Sequence, residues 1–210
     1  MTDETSLPFW STRITSRRWP SQPPRSIVVT NPRVHFPPGT IGWLVQVSEV
    51  ICLGCGALAP DTAGPVHRYM DASPGCWQLY SELQDWKNSL IDNDGITIAQ
   101  HLADAYATQH ATNPDRRNRQ SVTVHLMSLC ASLEFEISGT KLRTIIGNWT
   151  HHDYHLLRPT PDGYPITVRN VKDATGGQRA ATVEEMATST WSAWSLHHEE
   201  IRTLLVNYLA

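Results

Sequence analysis

Ser73-Pro74-Gly75-Cys76-Trp77-Gln78-Leu79-Tyr80-Ser81-Glu82-Leu83-Gln84-Asp85-Trp86 is the stretch on which the fold turns. A serine followed by proline marks a helix start. The hydroxyl accepts from a free first-turn amide, and proline, which lacks an N–H, suits the first helical position. Behind it Cys76, Leu79, Tyr80, Leu83, Trp86 and Leu90 recur at helical spacing, with Glu82, Asp85 and Lys87 outside them. That pattern predicts an amphipathic helix. Asn93-Asp94-Gly95 predicts its end.

The same period returns downstream. Thr97 is placed to cap a helix over 97–110, striped by Ile98, His101, Leu102, Ala105 and Gln109. Asn113-Pro114-Asp115 breaks it, with Arg116, Arg117 and Arg119 expected on the connecting loop. A third helix over 118–136 carries Val122, His125, Leu126, Leu129 and Leu133 on one face, and a short fourth over 142–146 stops at Gly147. Residues 148–180 read as irregular, with one short strand at 166–168. Thr182 and Glu185 have the spacing of a capping box, followed by Met186, Trp194, His197, Ile201, Leu204, Leu205 and Tyr208. The expectation is a mostly α protein: a bundle of four or five helices in one domain over 47–210. Within it, 47–75 is a metal-binding turn region, 76–147 the helices, and 181–209 a single C-terminal helix.

Working toward the start of the chain, residues 1–46 hold seven of the 14 prolines and three tryptophans. Such proline density sustains neither a helical nor an alternating period. A disordered leader is expected, or sequence extraneous to a natural chain beginning near 45–49. Five arginines against Asp3 and Glu4 give the leader a net charge of +3, which leaves −6 for the remainder of a chain whose total is −3. An acidic folded part argues against nucleic acid and anionic membranes as partners. Ser16-Arg17-Arg18-Trp19 has the start of a twin-arginine signal, but Pro20, Pro23 and Pro24 stand where an apolar run is required. The apolar stretch over 41–59 is interrupted by Gln46, Ser48 and Glu49, so no membrane span is expected. Four cysteines in 210 residues are too few for a disulfide framework, and a cytoplasmic location follows.

Cys52-Leu53-Gly54-Cys55-Gly56 is the sharpest chemical signal. Two thiolates separated by two residues can hold one zinc ion from a tight turn, and the glycines permit that turn. The pair supplies half a tetrahedral site. His67 and Cys76 are the nearest suitable residues, so the expected metal ligands are Cys52, Cys55, His67 and Cys76. Cys76 also fits the apolar stripe of its helix, and a redox pair remains the alternative for C-x-x-C, although redox pairs open a helix after a strand. Cys130 reads as core packing.

Histidine is the second signal. His125 and His197 lie on apolar stripes of different helices, where an imidazole needs partners for both nitrogens. Asp104, Tyr106, Gln109 and His110 crowd the end of the second helix, and Gln120 and Ser121 open the third. A connection between those ends predicts a shared polar pocket, with Trp191, Trp194 and His197 as its wall or simply as core. His151-His152-Asp153-Tyr154-His155 reads as exposed loop.

These strings together resemble an uncharacterised bacterial family, a domain of unknown function. The resemblance rests on Cys52-Leu53-Gly54-Cys55-Gly56, Val66-His67-Arg68-Tyr69-Met70 with Ser73-Pro74-Gly75-Cys76-Trp77, and Asp104-Ala105-Tyr106-Ala107-Thr108-Gln109-His110. Gln120-Ser121-Val122-Thr123-Val124-His125-Leu126 and Thr190-Trp191-Ser192-Ala193-Trp194 complete it, over about residues 50–205. It implies no activity, but it implies that His67, Cys76, His110 and His125 belong to one design with the cysteine pair.

Two function classes are compatible with these residues. One is a metal-dependent enzyme of hydrolase or lyase type, with His125 and His110 as acid–base groups and Asp104 orienting an imidazole. The other is a non-enzymatic module for a small molecule or a protein, with a structural zinc. Four protein ligands would make the metal structural and leave catalysis to histidines. A transcription regulator is disfavoured, because no helix pair has a basic recognition face.

Overall fold

The computed structural model describes residues 48–111, 115–148 and 164–210. The expected leader and the His151-His152-Asp153-Tyr154-His155 cluster lie outside the described residues. The chain opens with an antiparallel hairpin, β1 (Glu49–Ile51) and β2 (Leu58–Pro60), in register Glu49 to Pro60, Val50 to Ala59 and Ile51 to Leu58. Among the described residues everything else regular is helical: α1 (Pro74–Ser81), α2 (Gln84–Ser89), α3 (Asn93–Gln109), α4 (Arg116–Leu133), α5 (Gly139–Asn148), α6 (Val168–Asp173), α7 (Gln178–Ala193) and α8 (His198–Leu209). The helical class is as the periodicity predicts, and α3, α4, α5, α7 and α8 are its long members.

Helix starts show where local chemistry wins. Ser73 caps α1, its hydroxyl accepting from the Cys76 amide at 3.3 Å, with Pro74 at the first turn. The stripe behind it does not make one helix. The chain breaks after Ser81 and restarts at Gln84, which leaves Leu83 buried at the joint. Asn93-Asp94-Gly95 begins α3 instead of ending its predecessor, because the Asp92 carboxylate accepts from the Gly95 amide at 2.7 Å. Thr97 then sits inside the helix, its hydroxyl on the Asn93 carbonyl. Likewise Asp115 caps α4 through the Arg117 amide, so Arg116, Arg117 and Arg119 lie on the first turns of that helix and not on a loop.

Residues 166–168 form no strand. Thr167 instead opens α6, its amide and hydroxyl both bonded to Asn170 Oδ1. The Thr182–Glu185 capping box is not a start either: α7 begins at Gln178, and Thr182 bonds back to the Gln178 carbonyl. The single C-terminal helix is two, divided at Trp194 by a 3-10 turn over Ser195–His197.

Two apolar clusters follow from the stripes. One joins the hairpin, α1, α6 and the first part of α7 to α3 through Leu79, Leu102, Tyr106, Val171, Val183 and Met186. The other joins α4, α5, α8 and the end of α7 through Leu126, Leu129, Leu142, Trp194, Ile201 and Leu205. Each such buried side chain contributes about 1.5–3 kcal/mol relative to exposure. Polar ties fix the angles: His101 of α3 reaches Ser132 of α4 at 2.7 Å and Glu184 of α7 at 3.1 Å. Arg169 of α6 reaches Glu49 of the hairpin at 2.5 Å. Among the described residues no helix is long and apolar enough to cross a membrane.

Candidate metal centre

The hairpin loop carries the first two thiols. Cys52 follows β1 and closes the loop on itself, its amide bonded to the Ala57 carbonyl and its carbonyl to the Gly56 amide, both at 2.8 Å. Gly56 takes φ +78, the left-handed region that a side chain disfavours, and this lets the turn close directly behind Cys55. Gly54 is needed for another reason. A Cβ there would lie 2.3 Å from His110 Cδ2 and 2.5 Å from the Asp71 carbonyl oxygen. The loop can therefore lie flat against the end of α3.

Cys76 arrives on the first turn of α1, which the Ser73 cap orients, and the Ser73 amide also donates to Cys52 Sγ at 3.4 Å. His110 arrives as the residue that ends α3. Its Nδ1 lies 2.6 Å from the Tyr106 carbonyl oxygen, which can only accept, so Nδ1 carries a proton and Nε2 is the nitrogen turned toward the thiols. Nε2 is 3.5 Å from Cys52 Sγ and 3.4 Å from Cys76 Sγ, and Cys55 Sγ is 3.7 Å from Cys76 Sγ. The ligand atoms of Cys52, Cys55, Cys76 and His110 all lie within 4.8 Å of one another, and together they could hold a metal ion. Exposure is 1% for Cys52 and 0% for the other three.

The electrostatics are those of four tightly coupled, buried groups. Hydrogen bonds from Cys55 and then Cys76 pull the Cys52 thiol far below its ordinary value. Cys76 is pushed far up by Cys52, then by Cys55 and by burial. For His110, burial works against the charged ring. Hydrogen bonds to Cys52 and Cys55 and the negative charge there outweigh it and raise the imidazole to about 10. A cation placed among these atoms would take over the role of those protons.

The position expected for His67 is thus held by His110, which the sequence offered as an acid–base group. His67 packs instead in an aromatic row, edge-on to Tyr69 at 4.4 Å between ring centroids and tilted on Trp77 at 5.0 Å. Its Nδ1 is buried without a hydrogen-bond partner. Burial first, then the charges of His125 and His110, lower its basicity. The signal for His110 lay in a helix end that returns to the hairpin, which linear proximity to the cysteines does not reveal.

Asp104 and His125 come together from α3 and α4. His125 Nδ1 lies 2.6 Å from Asp104 Oδ1, which also accepts from Gln100 Nε2 at 2.7 Å, while Ser128 Oγ donates to Oδ2. His197 does not join them. It pairs with Glu200 at 3.5 Å, with its ring tilted on Trp194. Cys130 is buried in the second cluster.

The model of a family of unknown function, DUF5946, matches residues 50–195. No curated protein and no solved structure matches the chain.

Proposed function

The chain belongs to DUF5946, a family of unknown function, and from that premise we propose that its metal is zinc and acts as a structural clamp. The single observation that carries this reading is the spacing of the ligand atoms. Bonds of about 2.3 Å to sulfur and about 2.0 Å to nitrogen in a tetrahedron separate two sulfurs by about 3.8 Å and sulfur from nitrogen by about 3.5 Å. The distances of 3.7 Å, 3.5 Å and 3.4 Å match three of the six edges of such a tetrahedron and support this reading. Three thiolates with one imidazole suit zinc over the harder divalent ions.

A closed, buried set of four protein ligands leaves no position for a metal-bound water, which a metal-dependent hydrolase or lyase requires. As a clamp, the ion pins the hairpin and the start of α1 to the end of α3. Chemistry or small-molecule binding then rests on side chains beside the clamp. Four unpaired cysteines suit a reducing cytoplasm.

Elemental analysis of the purified chain tests the reading, with about one zinc per chain expected for a structural site. His110→Ala and Cys52→Ser should lose the zinc and melt at lower temperature, and His67→Ala should keep it. A chain that is zinc-free as purified, binds no added zinc and melts at the same temperature as His110→Ala would overturn the clamp.

A further inference from the structure

We propose that Asp104 and His125 form an acid–base pair, in which His125 Nε2 removes a proton from a hydroxyl, of water or of a small-molecule substrate. The pair lies outside the clamp and uses none of its ligands. Three donors converge on a fully buried Asp104: Gln100 and His125 Nδ1 on one oxygen, Ser128 on the other. The carboxylate acts purely as acceptor, so His125 carries its proton on Nδ1 and has a lone pair on Nε2. No described residue bonds to that Nε2, and the side chain keeps 20% exposure while Asp104 has none. A buried carboxylate behind a partly open imidazole fixes the ring's orientation and tautomer and offsets the charge that it gains with a proton.

The other buried histidines are arranged differently. His101 spends both nitrogens, on Glu184 and Ser132. His110 faces the thiols with one nitrogen and the Tyr106 carbonyl with the other. His125 alone among the described histidines combines a buried carboxylate on one nitrogen with no described partner on the other. A structural tie between α3 and α4 needs only the Nδ1 half of that arrangement.

The proton that Nε2 takes from the hydroxyl is returned to the leaving or product group, so no co-reactant is required.

Hydrolysis of 4-nitrophenyl acetate by the zinc-loaded protein probes this base. Water adds to the acyl carbon as Nε2 takes its proton, the acyl–oxygen bond breaks, and acetate and 4-nitrophenol result. The expected result is a rate above that of His125→Ala by about 10²-fold, the usual scale for a positioned general base. Added imidazole should restore much of the loss, and His198→Gln should hydrolyse as wild type does. Nitrogen-15 spectra should show the Nδ1–H form of His125, and Asp104→Asn should shift it. Equal rates for wild type and His125→Ala at equal zinc content, a loss that imidazole leaves unrepaired, or an Nε2–H ring in the wild-type protein would each overturn the proposal. Zinc content read in parallel keeps this outcome separate from a failure of the clamp.

Discussion

His110 lies over Gly54 so closely that a single methyl carbon at Gly54 would sit 2.3 Å from the imidazole Cδ2. The hairpin loop and the end of α3 are thus shaped to each other at a position with no room for a side chain. That contact sets where His110 stands relative to the three thiols.

Gly54→Ala is accordingly expected to weaken the site without touching a ligand. The new carbon meets the imidazole on one side and the Asp71 backbone on the other, and overpacking of this kind costs on the order of 1–3 kcal/mol. Zinc affinity measured by chelator competition should fall at least about tenfold, the equivalent of 1.4 kcal/mol. Unchanged affinity would mean that the loop moves away from His110 freely.

Zinc retention should depend steeply on pH. In the metal-free protein the His110 imidazole holds its proton up to about 10, so the metal must displace that proton as well as that of the Cys76 thiol, which is pushed far up. Affinity therefore rises with pH, by about tenfold or more per unit for each proton released. The sign is opposite for the metal-free fold. There the raised His110 contributes stability that is fully present below the ordinary 6.5 and is lost as pH rises through about 10. An affinity that stays flat between about pH 6 and pH 8 would contradict this proton count.

Gln109 should prove a tie of unusual cost for its size. Fully buried on α3, its amide donates to the Ile166 carbonyl and to Thr190 Oγ1 of α7, both at 2.8 Å. Gln109→Met keeps the bulk but strands a buried carbonyl, so a loss of about 2 kcal/mol is expected in urea unfolding. A loss near zero would show that water reaches the Ile166 carbonyl.

At the opposite end of α4, Glu134 accepts from Arg202 of α8 at 2.6 Å and 2.8 Å and from the Trp191 indole of α7 at 3.0 Å. The Arg202 hydrogen bonds foremost, with help from Trp191, hold its carboxyl below the ordinary 4.5. A depressed carboxyl contributes stability that is present above its ordinary value and lost as pH falls through the lowered one. Glu134→Gln should therefore lower Tm near neutral pH, and the gap should narrow toward about pH 3. A gap that stays constant would assign the effect to packing.

The legible parts of this molecule are those governed by neighbours in sequence. Ser73 and Pro74 start α1, and the Cys52–Cys55 spacing forms its loop, because a cap or a tight turn involves only a few consecutive residues. His110 is visible in the sequence as a polar residue at a helix end, but its place beside the thiols depends on the tertiary approach to Gly54. His67, closer in sequence, is the natural choice for a ligand and is held away in the aromatic row. Thr182 with Glu185 carries a cap's spacing, yet the helix has already begun at Gln178, so a correct local pattern lies idle. The break at Trp194 has no glycine or proline to announce it. There the buried face passes from α7 to α8 around a fully packed indole.

The spacing of the clamp along the chain has a consequence for biosynthesis. Cys55 and Cys76 stand 21 residues apart, and Cys76 and His110 a further 34. A ribosome thus exposes three thiols well before it delivers the imidazole. A nascent chain halted short of α3's last turn would present an open tris-thiolate, able to bind soft cations of the wrong kind or to cross-link. Metal capture in the final geometry would then report that synthesis has passed the end of α3.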